Sequence, residues 1–325
     1  MTRAMYYVCA LLASAACLYG AEASAQQWPN RAVRIIVPFP PGQAADIITR
    51  IVAERLTPAL GQQVIVDNRP GAGAAVGTEI GAKSAPDGYT FVAGGSAALA
   101  INPHLYKKLG YDTPRDFAPV TQLVDIAMVF VVNPSLAAQN LKDLIQLAKQ
   151  RPGELNYGSS GSGSTSHLVT AALAARAGIT LIHVPYKGAV QSLTDLITGQ
   201  VMLVADTPPT VVPHIQSKKI RPIATSMSKR IPQLPDVPTV DEQGVRGYNL
   251  NTWTSIVAPK ATPEAILDRM NSEIVKIIAQ PEVQKRLIEM GFIPVGNSRE
   301  QFGTFLAAEY SNWAKIVQAS GAKVD

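Results

Sequence analysis

The stretch Gly158-Ser159-Ser160-Gly161-Ser162-Gly163-Ser164-Thr165-Ser166-His167 leads directly into an apolar run from Leu168 to Ala175. Glycines let successive backbone N–H groups converge, and Ser164 or Thr165 is well suited to cap the helix that the apolar run predicts. These N–H groups and the positive end of the helix dipole favour an anion at this point. The stretch therefore predicts an anion-binding loop, and a flexible Gly/Ser linker is the alternative that its composition allows.

Two glycine motifs resemble nucleotide-binding signatures, and both are incomplete. The spacing from Gly158 to Gly163 mimics the start of a P-loop, but Ser164 stands where that motif needs its phosphate-binding Lys. The pair Gly71 and Gly73 resembles half of a dinucleotide fingerprint, but Val76 replaces the third glycine. The sequence therefore argues against a nucleoside triphosphate or NAD and for a smaller anion.

The composition is that of a compact protein with extensive apolar cores. The chain has 325 residues, of which 47% are hydrophobic and 16% are charged, which is enough for two globular domains. Its formal net charge of +5 includes no block of Lys and Arg interleaved with aromatic residues. This modest excess is compatible with acidic ligands and argues against a nucleic-acid partner.

The N-terminal residues 1–25 predict a signal peptide. Met1-Thr2-Arg3 is a short basic start, Tyr6 to Leu18 is apolar, and Ala23-Ser24-Ala25 fits a cleavage site. We therefore expect cleavage near Ala25 and export to a bacterial periplasm. Both cysteines, Cys9 and Cys17, lie in this leader, so the mature chain would have no disulfide and no cysteine ligand. A lipoprotein anchored at Cys17 is the alternative.

Strand and helix patterns alternate through the rest of the chain. The β-branched run Val33 to Val37 predicts a buried strand, Pro38 to Gly42 predicts a loop, and apolar positions from Ile47 to Leu56 recur at helical spacing. Repeated strand, loop and helix units predict parallel sheets with helices on their faces. In such sheets ligands bind beyond the carboxyl ends of the strands.

Several polar residues follow predicted strands directly. Ser96 follows one predicted strand in a second small-residue loop, Gly94-Gly95-Ser96. Asp206 ends another predicted strand. Asp206 either accepts a hydrogen bond from an amino or hydroxyl group of a ligand or caps the helix that Pro208 opens. Asp46 lies in the first helical turn, where it either complements the helix dipole or contacts a ligand. Phe39 either forms one wall of a cleft or packs beneath its loop.

Taken together, these segments resemble the substrate-binding family of the tripartite tricarboxylate transporters, the Bug or TctC-like extracytoplasmic solute receptors. The resemblance runs through the whole mature chain. Its motifs are Pro38-Phe39-Pro40-Pro41-Gly42, Asp67-Asn68-Arg69-Pro70-Gly71-Ala72-Gly73, Lys83-Ser84-Ala85-Pro86-Asp87-Gly88-Tyr89-Thr90, Gly161-Ser162-Gly163-Ser164-Thr165-Ser166-His167, Val184-Pro185-Tyr186-Lys187-Gly188 and Leu234-Pro235-Asp236-Val237-Pro238-Thr239.

The resemblance implies an α/β, two-lobed periplasmic-binding-protein (Venus flytrap, type II) fold in which each lobe is a mainly parallel sheet flanked by helices. Residues 26–127 and 253–325 would form lobe 1, and residues 128–252 would form lobe 2. Two pincers, Pro40 to Ala44 and Ser162 to His167, would hold a ligand carboxylate through backbone N–H groups and bound waters. Gln43 departs from the usual second glycine of the family, so ligand choice would differ.

The expected function is that of a periplasmic receptor which captures a small organic carboxylate and delivers it to a membrane permease. The ligand class stays open among dicarboxylates, tricarboxylates, amino acids and aromatic acids, and the protein is expected to be a monomer. A sensor that signals through a partner protein is the alternative. The expected ligand-binding residues are Phe39, Pro40, Gly42, Gln43, Ala44, Asp46, Ser96, Ser162, Gly163, Ser164, Thr165, Ser166, His167 and Asp206.

A periplasmic hydrolase is the rival from a different class. No G-x-S-x-G elbow surrounds Ser160 or Ser162, and His167 follows Ser166 directly, where helix neighbours do not face each other. His183 and the remaining histidines fit packing or surface positions, without the spacing of metal ligands. We therefore expect no catalytic residues, no metal and no cofactor.

Overall fold

The computed structural model describes residues 28–322, so the predicted signal peptide and the anchor position Cys17 lie outside the described residues. Eleven strands occur within this range. They are β1 (Val33–Val37), β2 (Val64–Asn68), β3 (Thr90–Gly95), β4 (Phe117–Ile126), β5 (Val129–Val132), β6 (Asn156–Ser159), β7 (Ile182–Pro185), β8 (Leu203–Asp206), β9 (Arg221–Thr225), β10 (Thr252–Pro259) and β11 (Ile293–Pro294).

Eleven α-helices accompany the strands in the same range, together with a 3₁₀ turn (Ala72–Ala74) and a π-helical turn (Ser96–Ile101). The α-helices are α1 (Ala44–Leu60), α2 (Ala75–Ala82), α3 (Asn102–Leu105), α4 (Thr113–Asp116), α5 (Leu141–Gln150), α6 (Thr165–Ala177), α7 (Ala189–Thr198), α8 (Pro208–Gln216), α9 (Glu264–Ile278), α10 (Pro281–Glu289) and α11 (Arg299–Ser320).

The strands form two sheets. The first sheet has the order β11-β4-β10-β3-β1-β2, and the second has the order β7-β6-β8-β5-β9. We call the first sheet with its helices lobe 1 and the second sheet with its helices lobe 2. The two-lobed α/β architecture is therefore confirmed. The assignment of every helix and loop to a lobe, with boundaries at 127/128 and 252/253, stays a prediction.

Most strands of each sheet run in one direction, as predicted, and the remaining strands oppose them. Strands β1, β2 and β3 run parallel, as do β6, β7 and β8, whereas β4, β10 and β11 in lobe 1 and β5 and β9 in lobe 2 pair antiparallel. The opposing strands β5 and β10 are those by which the chain enters each lobe, from β4 into β5 and from β9 back to β10, whereas β4 and β9 run with the parallel strands. A chain that leaves one sheet at its carboxyl edge enters the other sheet at the facing edge and so runs against its parallel strands.

The apolar core is continuous between the lobes. One buried cluster includes Leu168 on α6 together with Trp253 on β10 and Trp313 on α11. Two further clusters cover the opposite face of each sheet, under α1 and α9 in lobe 1 and under α7 and α8 in lobe 2. Both lobes are therefore anchored to one shared core beside the strands that connect them.

Candidate ligand-binding site

The carboxyl ends of the parallel strands in both lobes lie at the edges where the chain crosses between the sheets. In lobe 1, Gly95 at the end of β3 pairs with Thr254 near the start of β10. In lobe 2, Asp206 at the end of β8 pairs with Val129 at the start of β5. The loops that follow these strands therefore face a common cleft, as expected for open α/β sheets.

Asp46 braces the loop between β1 and α1. Its carboxylate accepts hydrogen bonds from the Gly42 N–H at 2.8 Å, the Arg50 guanidinium at 2.9 Å and the Asn68 amide at 2.9 Å. Burial alone would raise the pKa of Asp46, but these hydrogen bonds outweigh burial and lower it. The Asn68 amide also donates to the carbonyl oxygen of Phe39 at 3.1 Å. The observed role of Asp46 is thus to hold the loop, and direct ligand contact stays a prediction.

The first turn of α1 leaves backbone donors open at the cleft. Gln43 is the N-cap residue, and its side chain makes no capping hydrogen bond. The N–H groups of Ala44, Ala45 and Asp46 have no acceptor within residues 28–322. Unpaired donors and the positive end of a helix dipole together favour an anion at this position.

The Gly/Ser loop before α6 is tied together by its own polar groups. The Ser160 N–H donates to the Ser166 hydroxyl at 3.0 Å, and the Gly161 N–H donates to the Ser159 hydroxyl at 3.2 Å. Gly163 has a φ of 76°, a conformation that favours glycine. These contacts argue against the flexible-linker interpretation, because a linker would not satisfy its own backbone donors.

Ser164, one of the two cap residues that the sequence predicts, caps α6. Its hydroxyl accepts the His167 N–H at 3.3 Å. The N–H groups of Thr165 and Ser166 have no acceptor in the described part of the chain, nor has that of Ser162. A second helix N-terminus with open donors therefore faces the cleft from lobe 2.

His167 and His183 form a stacked pair behind the Gly/Ser loop. Their ring centroids are 3.8 Å apart and their planes differ by 4°, and Tyr157 stacks on His183 at 5.0 Å. The Gly163 N–H donates to Nδ1 of His167 at 3.0 Å, so this nitrogen must be unprotonated. Burial and the neighbouring His183 lower the pKa of His167 to about 4, and burial also lowers the pKa of His183. The Gly163 N–H is therefore engaged within the loop.

The structure contains a serine and histidine pair that the sequence did not predict. The Ser159 hydroxyl lies 2.6 Å from Nε2 of His183. Ser159 is completely buried, and its hydroxyl also contacts the backbone of Gly161. Within the described residues no carboxylate orients the His183 ring through a hydrogen bond. The pair supports the loop rather than presenting a nucleophile, and only the pairing of β6 with β7 brings these residues together.

The prediction that Gly94, Gly95 and Ser96 form a small-residue loop is wrong. Gly94 and Gly95 belong to β3, and Ser96 is buried at the start of the π-helical turn. Its hydroxyl lies 2.7 Å from the Thr252 hydroxyl and 3.5 Å from that of Thr165. Gly95 cannot carry a side chain because a Cβ would approach the Trp253 carbonyl oxygen to 2.3 Å. Ser96 thus links lobe 1 to the first residue of α6.

Asp206 is a buried acid at the cleft edge of lobe 2. Its Oδ1 accepts the Thr207 N–H at 2.7 Å and lies 3.4 Å from the Thr207 hydroxyl. Burial raises the pKa of Asp206 to about 6 despite these hydrogen bonds. The N-cap residue of α8 is Thr207 and not Asp206. The helix-capping alternative is therefore wrong, and a buried acid without a cationic partner among residues 28–322 is left beside the cleft.

The two lobes touch on both sides of the cleft. A Cβ on Gly163 would lie 2.1 Å from a methyl carbon of Leu105 in lobe 1. On the other side, a Cβ on Gly291 in lobe 1 would lie 2.8 Å from Cβ of Pro208 in lobe 2. Both glycines also have a positive φ, 76° at Gly163 and 86° at Gly291, which favours glycine at these contacts. The two lobes are therefore in contact at both points.

The predicted site residues differ in exposure. Those that are exposed are Pro40, Gly42, Gln43 and Ser162. Those that are partly buried are Phe39, Ala44, Ser164 and Thr165. Those that are buried are Asp46, Ser96, Gly163, Ser166, His167 and Asp206. All of them lie on loops, helix starts or, for Asp206, a strand end at the cleft edges, and their contact with a ligand stays a prediction.

Residues 28–322 contain no helix that is long and apolar enough to cross a membrane. The same residues include no group of three or more His, Cys, Asp or Glu side chains that could hold a metal ion.

Comparison with known proteins identifies relatives of this chain along nearly its whole length. The model of the tripartite tricarboxylate transporter family receptor matches residues 48–322. Protein BugT of Bordetella pertussis is 36% identical over 325 residues, which cover 100% of this chain and 99% of BugT. A UPF0065 protein from the tcbD-tcbE intergenic region of Pseudomonas sp. strain P51 is 36% identical over 291 residues, 89% of this chain and 86% of that protein.

Solved structures show the same fold. The structure of R. palustris Rpa4515 with adipate has a TM-score of 0.82 and 36% identity, and the match covers 91% of this chain and 99% of Rpa4515. MatC from Rhodopseudomonas palustris with bound malate has a TM-score of 0.78 and 28% identity, over 89% of this chain and 100% of MatC. The family is one of transport receptors and not of enzymes. This chain belongs to the tripartite tricarboxylate transporter receptor family, as its motifs predict.

Proposed function

We propose that this receptor captures a small organic carboxylate between its lobes in the periplasm and delivers it to the membrane permease of a tripartite tricarboxylate transporter. One observation carries the proposal. Helices α1 and α6 point their N-termini at the cleft from opposite lobes, and the N–H groups of Ala44, Ala45, Asp46, Thr165 and Ser166 have no acceptor in the described chain. A carboxylate supplies the acceptors and the negative charge that these donors lack.

Closure of the two lobes around the ligand would explain how capture and release differ. Donors from both lobes reach one ligand only when the lobes are closed, and closure also removes water from the carboxylate. The ligand therefore favours the closed state by the difference in its affinity for the two states. A permease that recognises the closed receptor would receive only the loaded form.

Two residues would select the rest of the ligand. Asp206 is a buried acceptor, which favours a ligand with a hydroxyl, ammonium or amide donor. Gln43 is exposed beside the open donors of α1 and makes no capping hydrogen bond, so its amide is free to contact a ligand. Rpa4515 and MatC have structures with adipate and malate, both dicarboxylates, and we propose a dicarboxylate or hydroxy dicarboxylate as the first ligand to test.

The test removes one donor without disturbing its helix. Ala44 is the first helical residue of α1, a position where proline is tolerated because its N–H makes no helical hydrogen bond. The preceding residue, Gln43, already has the extended backbone that proline requires, with φ of −80° and ψ of 164°. Glu264→Pro is the control for the backbone change, because Glu264 opens α9 at the opposite end of the lobe 1 sheet; this variant also removes the ion pair of Glu264 with Arg299.

We expect malate, adipate or a related acid to raise the melting temperature of the wild type in a thermal-shift screen. Ala44→Pro is expected to weaken binding of that acid by about ten- to a hundredfold, since one hydrogen bond to a charged group contributes about 1.5–3 kcal/mol. Glu264→Pro should bind as the wild type does. The absence of stabilisation by any organic acid would overturn the carboxylate proposal, and unchanged binding by Ala44→Pro would overturn the role of α1.

A further inference from the structure

Positive charge is concentrated in lobe 2. Residues 128–252 contain eleven Lys and Arg against seven Asp and Glu, so this segment carries four of the five net positive charges of the chain. The charged side chains of lobe 1 form numerous ion pairs, whereas the described residues of lobe 2 form one, between Arg230 and Glu242. The positive charge of lobe 2 is therefore largely unneutralised by the protein itself.

Part of this charge lines a groove on the outer side of lobe 2. The groove has a volume of about 530 Å³ and lies between one face of α5, the end of α6 and the turn before Tyr248. No acidic side chain lines it. Its lining residues are Lys142, Ile145, Gln146, Lys149, Gln150, Arg176, Ala177, Gln243, Gly244 and Val245.

One cation of the groove is held in place by the protein, and two are exposed. The Arg176 guanidinium donates to the Gly247 carbonyl oxygen at 2.8 Å and lies 5.4 Å from the centre of the Tyr248 ring. Lys142 and Lys149 are exposed on the same face of α5, seven residues apart, and neither forms an ion pair with a described residue.

The acidic residues near the groove are already engaged. Asp143 accepts the Gln139 N–H at 2.8 Å, and Asp241 accepts the Gly247 N–H. Glu242 pairs with Arg230 at 3.0 Å. None of these carboxylates is therefore directed at the groove lysines, and the groove keeps its positive potential.

We propose that this groove docks an acidic peptide segment of the membrane permease, an inference that rests on the proposed function. Three cations without a carboxylate among them favour an acidic partner. Ile145 and Val245 add apolar surface between the cations, which suits a segment with both acidic and apolar side chains. A concave groove admits an extended peptide, whereas the planar surface of an anionic bilayer cannot enter it.

The groove is separate from the ligand site. Helix α6 begins at the Gly/Ser loop with Thr165 and ends at the groove with Ala177, a distance of about 20 Å for its thirteen residues. Substitutions on the exposed face of α5 therefore leave the ligand donors in place. This separation allows docking and ligand binding to be tested independently.

The test compares two charge reversals of equal size. Lys142→Glu with Lys149→Glu alters the groove, and Lys218→Glu with Lys219→Glu alters exposed positions after α8. Helices α5 and α8 pack on opposite faces of the lobe 2 sheet, so the second pair is a matched control. The measurements are uptake of a labelled acid by cells that contain the permease and the ligand-induced thermal shift of each purified receptor.

We expect the groove variant to reduce uptake by about tenfold, which corresponds to about 1.4 kcal/mol, because two exposed attractions between lysine and the acidic segment become repulsions. The control variant should transport normally, and both variants should keep the thermal shift of the wild type. Equal uptake by the two variants would overturn the proposal.

A photo-cross-linking amino acid at Gln146 in the groove, with Gln216 as the control position, identifies the occupant. Cross-linking from Gln146 to an acidic segment of a permease subunit supports the proposal. Cross-linking to lipid, or to the permease equally from Gln216, overturns it. If no acid shifts the melting temperature of the wild type, the proposed function fails, while the cross-linking result still decides whether the groove binds the permease.

Discussion

The imidazole ring of His167 lies parallel to that of His183 at a centroid distance of 3.8 Å, and its Nδ1 accepts the N–H of Gly163. Two rings at this distance cannot both be positively charged without strong repulsion. The stacked pair thus keeps the Gly163 bond in place and fixes the loop that precedes α6. The conformation of the Gly/Ser loop in lobe 2 depends on a neutral histidine behind it.

Removal of the His167 acceptor should loosen this loop. His167→Ala leaves the buried Gly163 N–H without an acceptor, so we expect a loss of about 1–3 kcal/mol in the free energy of unfolding beyond the loss of ring packing. His167→Asn places an amide oxygen near the position of Nδ1 and should recover part of the loss. Urea denaturation of the three proteins measures the difference. Equal stability of the Ala and Asn variants would show that the Gly163 bond contributes nothing.

The same histidine makes stability depend on pH in a defined direction. The pKa of His167 is about 4 in the folded protein and about 6.5 when unfolded, so the unfolded chain binds more protons between these values. Stability from His167 is therefore complete above pH 6.5 and is lost as the pH falls towards 4. We expect the wild type to lose about 2 kcal/mol between pH 7.5 and 4.5 relative to His167→Asn.

The comparison with His167→Asn is necessary because the ionisation of Asp206 changes stability with pH in the opposite direction. Its pKa of about 6 lies above the unfolded value, so its contribution is complete below pH 4 and is lost as the pH rises through 6. The two contributions partly cancel in the wild type. The difference between the wild type and the variant, measured in urea at both pH values, isolates His167. A difference that does not change with pH would contradict the lowered pKa.

Much of the fold follows from local sequence patterns. The run Val33–Val37, the Pro/Gly loop and the helical spacing after it predict the first strand, loop and helix, which the structure contains as β1 and α1. Ser164 and the glycines before it predict the N-cap of α6. The reversed direction of β5 and β10 is not predictable in this way, because the direction of a strand depends on which sheet its residues join after the chain crosses the cleft.

The site was only partly predictable because some of its contacts join residues from separate elements. The Gly/Ser loop and the Pro/Gly loop are local signals, and the structure places both at the cleft. The stacking of His167 on His183 joins residues from two elements, as does the contact of Ser96 with Thr165. The Gly163 N–H donates to His167, so the loop has fewer free donors than the sequence predicts.

Gly163 is expected to tolerate no side chain while Leu105 packs against it. Gly163→Ala adds a Cβ 2.1 Å from a methyl carbon of Leu105 and also strains a backbone whose φ is 76°. The backbone strain alone costs about 1 kcal/mol. We expect weaker ligand binding and lower stability, and the loss should be smaller in a Leu105→Ala background, where the obstructing methyl groups are gone.

A double-mutant cycle separates the two effects at Gly163. The strain in the backbone persists when Leu105 is shortened, whereas the clash does not. Leu105→Ala is itself expected to cost about 2–5 kcal/mol, because Leu105 is buried with 6% of its surface exposed. A coupling of about 1 kcal/mol or more in the free energy of unfolding supports a direct contact between the lobes here. Additive effects would mean that Leu105 does not limit the approach of the loop.

Asp206 should reveal a conflict between stability and ligand binding. At pH 7.5 its carboxylate is ionised although burial raises its pKa to about 6, so ionisation lowers stability. Asp206→Asn removes the charge and keeps an oxygen for the Thr207 N–H. We therefore expect the variant to be more stable by about 1–2 kcal/mol at pH 7.5 and little changed at pH 4.

The affinity of Asp206→Asn for a ligand with a hydroxyl or ammonium donor should fall, since a neutral amide is a weaker acceptor than a carboxylate. Urea denaturation and calorimetric titration test both effects. A gain in stability with unchanged affinity for every ligand would place Asp206 outside the binding site, because the removal of a charge that contacts the ligand must lower the affinity.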